Sequence, residues 1–419
     1  MATSPSLTSP SPTSDARPNV VLILADDLGF ECLGVNGGES YQTPCLDRMA
    51  AEGVRFTRCH STPLCTPSRV QLMTGRYSFR NYVRFGFLDP TEVTFARRFS
   101  DAGYATAIVG KWQLTYGDID PERPAQLGFD EWCLWNTDAP PGSRYDSPKL
   151  DTDGTLEVHP GAFGPDVLCD RAVSLLEEDR EEPLFLYYPM VLPHSPFVRP
   201  PGSGDDVEGP QAKFAAMVQH MDSLVGRVLD AAGDAVHGRE TLVLFVGDNG
   251  TDRRVVSRWQ GAEIIGGKSR MNRHGTHVPL IAWWPGRAEP AVSDDLIDFT
   301  DFVPTLCEAA GLPVEAPEAL DGVSFAPRLL GRPHTPREWI FCHYDPRWNV
   351  PGQPGRFAED GTYRLHQDGR LIHVERDPLG EHPVAGEAAG SRQRLQAVLD
   401  SMPPWSPPAR ARRPEKAGG

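Results

Sequence analysis

Six polar residues that could do chemistry stand shortly after apolar runs of the sequence. They are Asp26, Asp27, Lys111, His194, Asp248 and Asn249. Three carboxylates and one amide offer hard oxygen ligands, which suit Ca²⁺ or Mg²⁺ better than the nitrogen and sulfur sites that zinc prefers. Each acid taken singly is equally consistent with a helix cap or a solvated loop. Their joint position after two apolar runs favours a divalent-cation site at Asp26, Asp27, Asp248 and Asn249.

The apolar runs that precede these residues have the composition of strands buried on both faces of a sheet. The runs are Asn19–Ala25, Ala105–Val109, Leu184–Tyr188, Leu242–Val246 and Leu280–Trp284. Because helix-period patterns alternate with them, the sequence predicts one large, mainly parallel α/β sheet covered by helices on both faces. Ligands of such sheets bind beyond the carboxyl ends of the strands, where the polar residues lie.

Composition and pattern divide the chain into four segments. Residues 1–18, rich in Ser, Thr and Pro, are predicted to be a disordered leader, and residues 403–419 a disordered tail. Residues 19–335 form the predicted main α/β domain. Residues 336–402 are predicted to be a small C-terminal α+β subdomain with an antiparallel sheet, since 362–374 has the pattern of a hairpin with an Asp-Gly turn.

Acidic residues outnumber basic ones in this 419-residue chain, 57 to 41, for a formal net charge of −16. This excess argues against nucleic acid and anionic membranes as partners. No run approaches the roughly 18 apolar residues that a membrane helix needs. The N-terminus lacks the apolar core of a secretory signal, so a cytoplasmic location is predicted. The eight cysteines include no C-x-x-C pair and favour neither a disulfide scaffold nor a zinc ribbon.

One cysteine stands at the start of a predicted helix. Thr66 is a favourable N-cap and Pro67 suits the first helical position, which puts Cys65 just ahead of the helix N-terminus. Free backbone N–H groups and the helix dipole favour an anion at such a place. A lone cysteine is usually buried filler, but the string C-x-P-S-R-x-x-L-x-T-G-R that begins at Cys65 is too specific for that role.

This string resembles the signature of the type I sulfatases, in which the cysteine is converted after translation to formylglycine. Further segments resemble family motifs in the family order: 19–29, 109–112, 128–131, 193–196, 247–250 and 267–268. The resemblance implies the alkaline phosphatase-like fold, with residues 19–335 as the catalytic domain. It also implies a sulfuric ester hydrolase, with a small-molecule or saccharide sulfate ester as substrate and a formylglycine-generating enzyme as maturation partner.

The resemblance assigns roles to individual residues. The hydrated aldehyde at Cys65 would supply the nucleophile and an oxygen for the cation, which is expected to be Ca²⁺, with Mg²⁺ or Mn²⁺ as alternatives. Arg69 would hold the diol and support the metal ligands. Lys111 and Lys268 would neutralise the sulfuryl oxygens, and His194 would protonate the leaving oxygen. The remaining hydroxyl would then expel sulfate and restore the aldehyde.

The chain departs from the family pattern at two places. Two positions after Lys111 the family usually has a histidine, whereas this chain has Gln113, which can hydrogen-bond but cannot titrate. We expect Gln113 to orient the diol or the sulfate. The second departure is the segment 273–277, where a Glu-Gly-Gly-x-Arg pattern is common in the family. His274 and His277 could line a pocket there, with His277 as a weak candidate for substrate binding; structural or surface roles are the alternative.

Two other functions are consistent with the sequence. A formylglycine-dependent phosphonate monoester or phosphodiester hydrolase would use the same groups, because the two kinds of anion differ mainly in charge. A sulfatase-like binding protein whose Cys65 is never modified would account for Gln113 as a mark of lost turnover. The presence of all four metal ligands, Arg69 and both lysines argues against this second alternative.

Overall fold

The computed structural model places the predicted strands in a large sheet and a small C-terminal one. It describes residues 17–115, 122–136, 143–233, 239–314, 320–347, 352–384, 386 and 388–406. Most of the predicted leader and most of the predicted tail, residues 1–16 and 407–419, lie outside the described residues.

The described segments contain sixteen strands and eleven α-helices. The strands are β1 (Asn19–Ala25), β2 (Val54–His60), β3 (Ala105–Trp112), β4 (Glu131–Asn136), β5 (Lys149–Thr152), β6 (Thr155–Val158), β7 (Leu184–Pro189), β8 (Thr241–Gly247), β9 (Val256–Trp259), β10 (Ala262–Ile265), β11 (His277–Trp283), β12 (Ala291–Asp298), β13 (Ile340–Tyr344), β14 (Gly355–Glu359), β15 (Tyr363–His366) and β16 (Leu371–His373). The helices are α1 (Pro44–Glu52), α2 (Cys65–Thr74), α3 (Ser78–Asn81), α4 (Phe95–Asp101), α5 (Arg123–Gln126), α6 (Gly164–Glu177), α7 (Gly209–Gly233), α8 (Arg273–Thr276), α9 (Phe302–Ala309), α10 (Ala326–Leu329) and α11 (Ala389–Ser401). None of these described helices combines the length and the apolar character that crossing a membrane requires.

The large sheet has the strand order β12-β2-β11-β8-β1-β7-β3-β4-β5-β6. Its centre, from β8 to β4, is parallel, which confirms the predicted mainly parallel sheet. The apolar run at 280–284 was expected to be one more parallel strand, and this expectation is wrong. β11 runs antiparallel between β8 and β2. An apolar run reports burial on both faces of a sheet and carries no information about strand direction.

Helices cover the sheet on both faces, as predicted. Alternate residues of β1 enter two different cores, Val20 and Leu22 on one face and Val21 and Ile23 on the other. Helices α1, α6 and α7 pack together on the second face, and α2, α4 and α9 on the first. A sheet covered in this way exposes only its edges, so a site can form at the carboxyl ends of the central strands.

The small subdomain is a four-stranded antiparallel sheet in the order β13-β14-β15-β16, against which α11 packs. The predicted hairpin is confirmed, with β15 and β16 paired in antiparallel register. The backbone oxygen of Pro403 accepts a hydrogen bond from Arg356, and Trp405 packs edge-on against His343. These contacts fix the first residues of the segment that was predicted to be a tail.

Candidate active site

Two carboxylates at the end of β1 and one at the end of β8 lie side by side because these parallel strands are neighbours. The backbone N–H of Asp248 donates to Ala25 O at 2.9 Å, and that of Asp27 donates to Asp248 Oδ1 at 3.0 Å. Asp26, Asp27 and Asp248 are all 0 % exposed. Asp27 has a φ of 70°, a conformation that costs a non-glycine residue energy and is enriched at functional sites.

Three cationic side chains contact the three buried acids. Lys111 Nζ donates to both oxygens of Asp26 at 2.9 and 2.8 Å. Lys268 Nζ donates to Asp27 Oδ2 at 2.5 Å, and Arg69 donates to Asp248 Oδ2 through Nε and Nη2 at 3.2 and 3.0 Å.

These contacts set the pKa values of the acids in different directions. Burial raises the pKa of Asp248 to about 7, and the negative charge of Asp26 adds to the effect. Burial acts in the same direction on Asp26, but Lys111 and the other nearby cations outweigh it and hold the pKa of Asp26 well below its usual range. Charge balance at the site therefore depends on the exact set of cations around it.

Cys65 is the first residue of α2, and its side chain is 2 % exposed. The expectation that Thr66 caps this helix is wrong: the N-cap residue is Leu64, and Thr66 Oγ1 accepts a hydrogen bond from the backbone N–H of Gly86 instead. The Cys65 thiol donates to Gln113 Oε1 at 3.2 Å. Burial raises the pKa of this thiol, although Lys111 and Lys268 oppose the rise.

A cavity of about 540 Å³ opens beside Cys65, and its lining includes Gln113, His194 and Lys268. The backbone N–H of Ser269 donates to Pro63 O at 2.7 Å, which ties the loop carrying Lys268 to the segment before α2. The remaining predicted catalytic and metal residues are buried and do not line the cavity: Asp26, Asp27, Arg69, Lys111, Asp248 and Asn249. The structure thus brings the predicted residues together in two layers, an open one and a buried one.

His194 lies between the cavity and the acids. Its Nε2 is 3.6 Å from Asp27 Oδ2, and its Nδ1 is 2.5 Å from the backbone oxygen of Ser195. Because a carbonyl oxygen only accepts, the Nδ1 contact requires the proton on Nδ1 and leaves Nε2 to face Asp27. Tyr145 fixes the backbone here, because its single hydroxyl proton is shared between His194 O and Val191 O. Burial, with help from Lys268, lowers the pKa of His194.

The buried donors fit a divalent cation. Both protons of the Asn249 amide are used, on Asp27 Oδ1 at 2.9 Å and Gly250 O at 3.0 Å, whereas its Oδ1 is buried without a hydrogen-bond partner. A buried amide oxygen without a partner is costly unless something else binds it. One ligand atom each from Asp26, Asp27 and His194 also lie within 4.8 Å of one another. Asp248 differs, because both its oxygens already accept hydrogen bonds.

Sequence reasoning missed one cation near the acids, and the structure places one candidate histidine in a different cavity. Arg144 Nη1 is 3.6 Å from Asp26 Oδ2, and its guanidinium lies 4.0 Å from the centre of the Trp135 ring. No motif or apolar run marks Arg144. His277 is absent from the cavity beside Cys65 and lines a second cavity together with His274. The suggestion that His277 binds substrate stays a prediction, and the structure places it away from the cavity beside Cys65.

Comparison with known proteins identifies the family of this chain. A family model described as Sulfatase matches residues 18–312. The chain belongs to the sulfatase family. This sulfatase is 32% identical to human arylsulfatase A over 393 residues, covering 83% of the chain and 74% of the relative. It is 30% identical to human N-acetylgalactosamine-6-sulfatase over 447 residues, covering 91% and 84%.

A solved structure similar to this sulfatase is a complex of a protein with its substrate, D-glucosamine-2-N,6-O-disulfate. It has a TM-score of 0.75 and 20% identity, and the match covers 92% of this chain and 97% of that one. The similarity supports the alkaline phosphatase-like fold that the sequence predicted. The chain is a sulfuric ester hydrolase, and its family works with formylglycine and a divalent metal.

Proposed function

We propose that this sulfatase hydrolyses the sulfate ester of a saccharide or another small molecule through a formylglycine formed from Cys65, with Ca²⁺ as the resident cation. The observation that carries the proposal is the position of Cys65, which shares one cavity with Lys268 and His194 and lies next to the buried acids. The names of N-acetylgalactosamine-6-sulfatase and of the disulfated glucosamine complex support a saccharide as the substrate.

The residues that line the cavity would act on the substrate directly. Lys268 lines the cavity and would bind the sulfate oxygens, whose charge it would offset during reaction. His194 also lines the cavity and, in its protonated form, would donate a proton to the oxygen of the departing alcohol or phenol. The hydrated aldehyde at position 65 would supply two hydroxyl groups, one to attack sulfur and one whose deprotonation releases sulfate. Gln113, within 3.2 Å of the Cys65 thiol, would orient these hydroxyls.

The buried residues would hold the cation and keep it in place. Asp26, Asp27, Asp248 and the free oxygen of Asn249 form a hard oxygen set that suits Ca²⁺, with Mg²⁺ or Mn²⁺ as alternatives. A divalent ion bound there supplies a Lewis acid that polarises the sulfate and favours the deprotonated nucleophile. Arg69 orients Asp248 through two hydrogen bonds. Elemental analysis of the purified protein tests the metal, and zinc at full occupancy would contradict the assignment.

A separate formylglycine-generating enzyme would have to modify Cys65. The test is mass spectrometry of the tryptic peptide 59–69 after the protein is expressed with such an enzyme and alkylated. This peptide has two cysteines, Cys59 and Cys65, so conversion predicts one alkylated thiol and an aldehyde. Cys59 serves as the internal control for alkylation. Two alkylated thiols, together with no hydrolysis of an aryl sulfate, would favour the unmodified binding protein and reject the proposal.

A substrate panel separates sulfate esters from the phosphorus alternative. The modified enzyme is assayed with an aryl sulfate, a sulfated monosaccharide, a phosphate diester and a phosphonate monoester. We expect the highest kcat/KM for a sulfate ester. A much higher value for the phosphonate or the diester would reverse the order of the two hypotheses.

A further inference from the structure

A second cavity, of about 480 Å³, lies apart from the one beside Cys65 and shares no lining residue with it. This volume is in the range of small-molecule sites. Three arginines line it, Arg55 and Arg58 from β2 and Arg273 from α8, and we call it the arginine cavity. Phe30 and Trp259 supply aromatic surfaces to the same lining.

The arginines of this cavity make few direct polar contacts. In the described part of the chain none of the three forms an ion pair, and the only side-chain hydrogen bond from them goes from Arg55 to Asn36 Oδ1 at 3.2 Å. This contrasts with Arg69 and Arg364, two buried arginines that bind carboxylates. Burial lowers the pKa of both Arg55 and Arg273. At Arg273 the charges of Glu359 and Glu375 oppose this fall, and those of Arg364 and Arg58 add to it. The cavity therefore concentrates positive charge that a bound anion would stabilise.

Two acids in the lining do not change this conclusion. Glu31 is buried, and its Oε1 accepts a hydrogen bond from Thr251 Oγ1 at 2.5 Å. Burial raises the pKa of Glu31, which favours its neutral form. Glu375 is exposed and forms no ion pair with a described residue, so its charge only partly offsets that of Arg273.

A β-bulge in β2 puts two of the arginines in the cavity. Residues three apart on a regular strand point to opposite faces, but Arg55 and Arg58 line the same cavity. The register with β11 shifts between Phe56 and Cys59, where β2 advances by three residues while its partner advances by two. Bulges of this kind redirect side chains and are over-represented beside functional sites.

The aromatic side chains of the lining could bind the organic part of a ligand next to the arginines. Phe30 is fixed by stacking on His277, with ring centres 4.0 Å apart, and Trp259 is fixed by a hydrogen bond from its Nε1 to Asn36 O at 2.8 Å. Fixed rings lose little conformational entropy when a ligand packs on them. His274 also contributes a buried Nδ1 that has no hydrogen-bond partner.

We propose that the arginine cavity is an accessory binding site for a sulfate or phosphate oxyanion, either free or carried by a small organic molecule. Guanidinium groups bind such oxyanions through paired N–H···O bonds. A tetrahedral oxyanion offers three or more oxygens and can accept from three guanidinium groups at once, whereas a carboxylate has only two oxygens. The site is separate from the proposed chemistry at Cys65, so it binds whether or not Cys65 is modified.

The test is equilibrium dialysis of the full-length protein with radiolabelled inorganic sulfate. A Lys268→Gln background weakens binding at the cavity beside Cys65, and we expect one sulfate per chain to remain bound. Arg58→Gln in that background should weaken this binding about ten-fold or more, since one charge-assisted contact is lost. Arg48→Gln is the matched control, because Arg48 is an exposed arginine that pairs with Asp230. Unchanged binding after Arg58→Gln, or no binding in the Lys268→Gln background, would overturn the proposal.

Two further measurements keep the result interpretable. Circular dichroism checks that the variants fold, and Arg55→Gln replaces Arg58→Gln if the latter does not. Benzenesulfonate is then compared with inorganic sulfate. Tighter binding of benzenesulfonate that is lost in Trp259→Phe supports an oxyanion on an organic molecule, whereas equal affinities support a free ion. If neither benzenesulfonate nor sulfate binds in the arginine cavity, both forms of the proposed ligand are excluded.

Discussion

Replacing Arg364 by methionine should strongly destabilise the contact between the small subdomain and the large sheet. Arg364, on β15, is 1 % exposed and donates to Glu359 Oε2 through Nε at 2.7 Å. It also crosses to the segment that follows Lys268, where it donates to Met271 O and to Thr276 Oγ1, both at 2.9 Å. The substitution removes all three contacts while keeping an apolar side chain of similar length.

The size of the destabilisation depends on the contacts that Glu359 keeps after the substitution. This carboxylate is itself buried, and its Oε1 has no hydrogen-bond partner. The nearest other cationic candidate is His60, whose Nε2 is 3.5 Å away. Burial is the largest cause of the low pKa of His60, and it persists in the variant together with the charges of Arg273 and Arg58, so the ring stays neutral at pH 7. Breaking a buried pair costs about 3–5 kcal/mol. The charge of Arg273 also acts on Glu359 but forms no ion pair with it among the described contacts, so the expected loss lies within that range.

Urea unfolding at pH 7, followed by circular dichroism, measures this loss. The Glu359→Gln/Arg364→Met double variant is the control, because it removes the buried charge as well as its partner. It should be more stable than Arg364→Met alone by about 2 kcal/mol or more, since most of the penalty comes from the uncompensated carboxylate. A loss under about 1 kcal/mol for Arg364→Met, or a double variant no more stable than the single one, would refute this reasoning.

Three other predictions concern the site and its surroundings. His194→Ala should lower kcat/KM about 10²–10⁴-fold for an alkyl sulfate but far less for 4-nitrophenyl sulfate, whose leaving group needs no proton; equal losses would exclude a proton donor at this position. Gln113→Leu should lower kcat about 3–10-fold, the value of one orienting hydrogen bond, and a full rate in steady-state assays would show that Gln113 is dispensable. Burial, aided by Arg364 and Arg370, lowers the pKa of His366 from 6.5 to about 4. The unfolded chain therefore binds more protons between these values, so the stability that neutral His366 contributes is complete above pH 6.5 and declines as the pH falls to 4. At pH 5 the loss is about 2 kcal/mol, and His366→Gln should flatten the pH dependence measured by urea unfolding.

The fold and the grouping of the acids follow from patterns that the sequence carries directly. Five apolar runs predict buried strands, and the carboxyl ends of neighbouring parallel strands must meet, which places Asp27 and Asp248 within hydrogen-bonding distance. The same reasoning reaches Lys111, since β3 lies two strands away from β1 in the sheet. In these cases the position of a residue at the end of a predicted strand is enough to predict its neighbours, because the sheet brings the strand ends together.

The missed features depend on contacts that spacing does not encode. Arg144 contacts Asp26 from a segment without an apolar pattern. Its guanidinium packs on the Trp135 ring, a contact that the sequence does not predict. The bulge in β2 adds one residue to a strand whose composition is ordinary, so the shared face of Arg55 and Arg58 is visible only in the register. His277 was close in sequence to Lys268, but β11 turns it towards the arginine cavity.

The burial of helix α2 places a constraint on the order of events in biosynthesis. All ten of its residues, from Cys65 to Thr74, are buried. A modifying enzyme needs several residues around its target in an accessible conformation, and this helix has no exposed face to offer. The proposed conversion of Cys65 would therefore have to take place before α2 docks against the sheet, while the chain is still being made or is unfolded. A molecule that folds first would keep its thiol until it unfolds again.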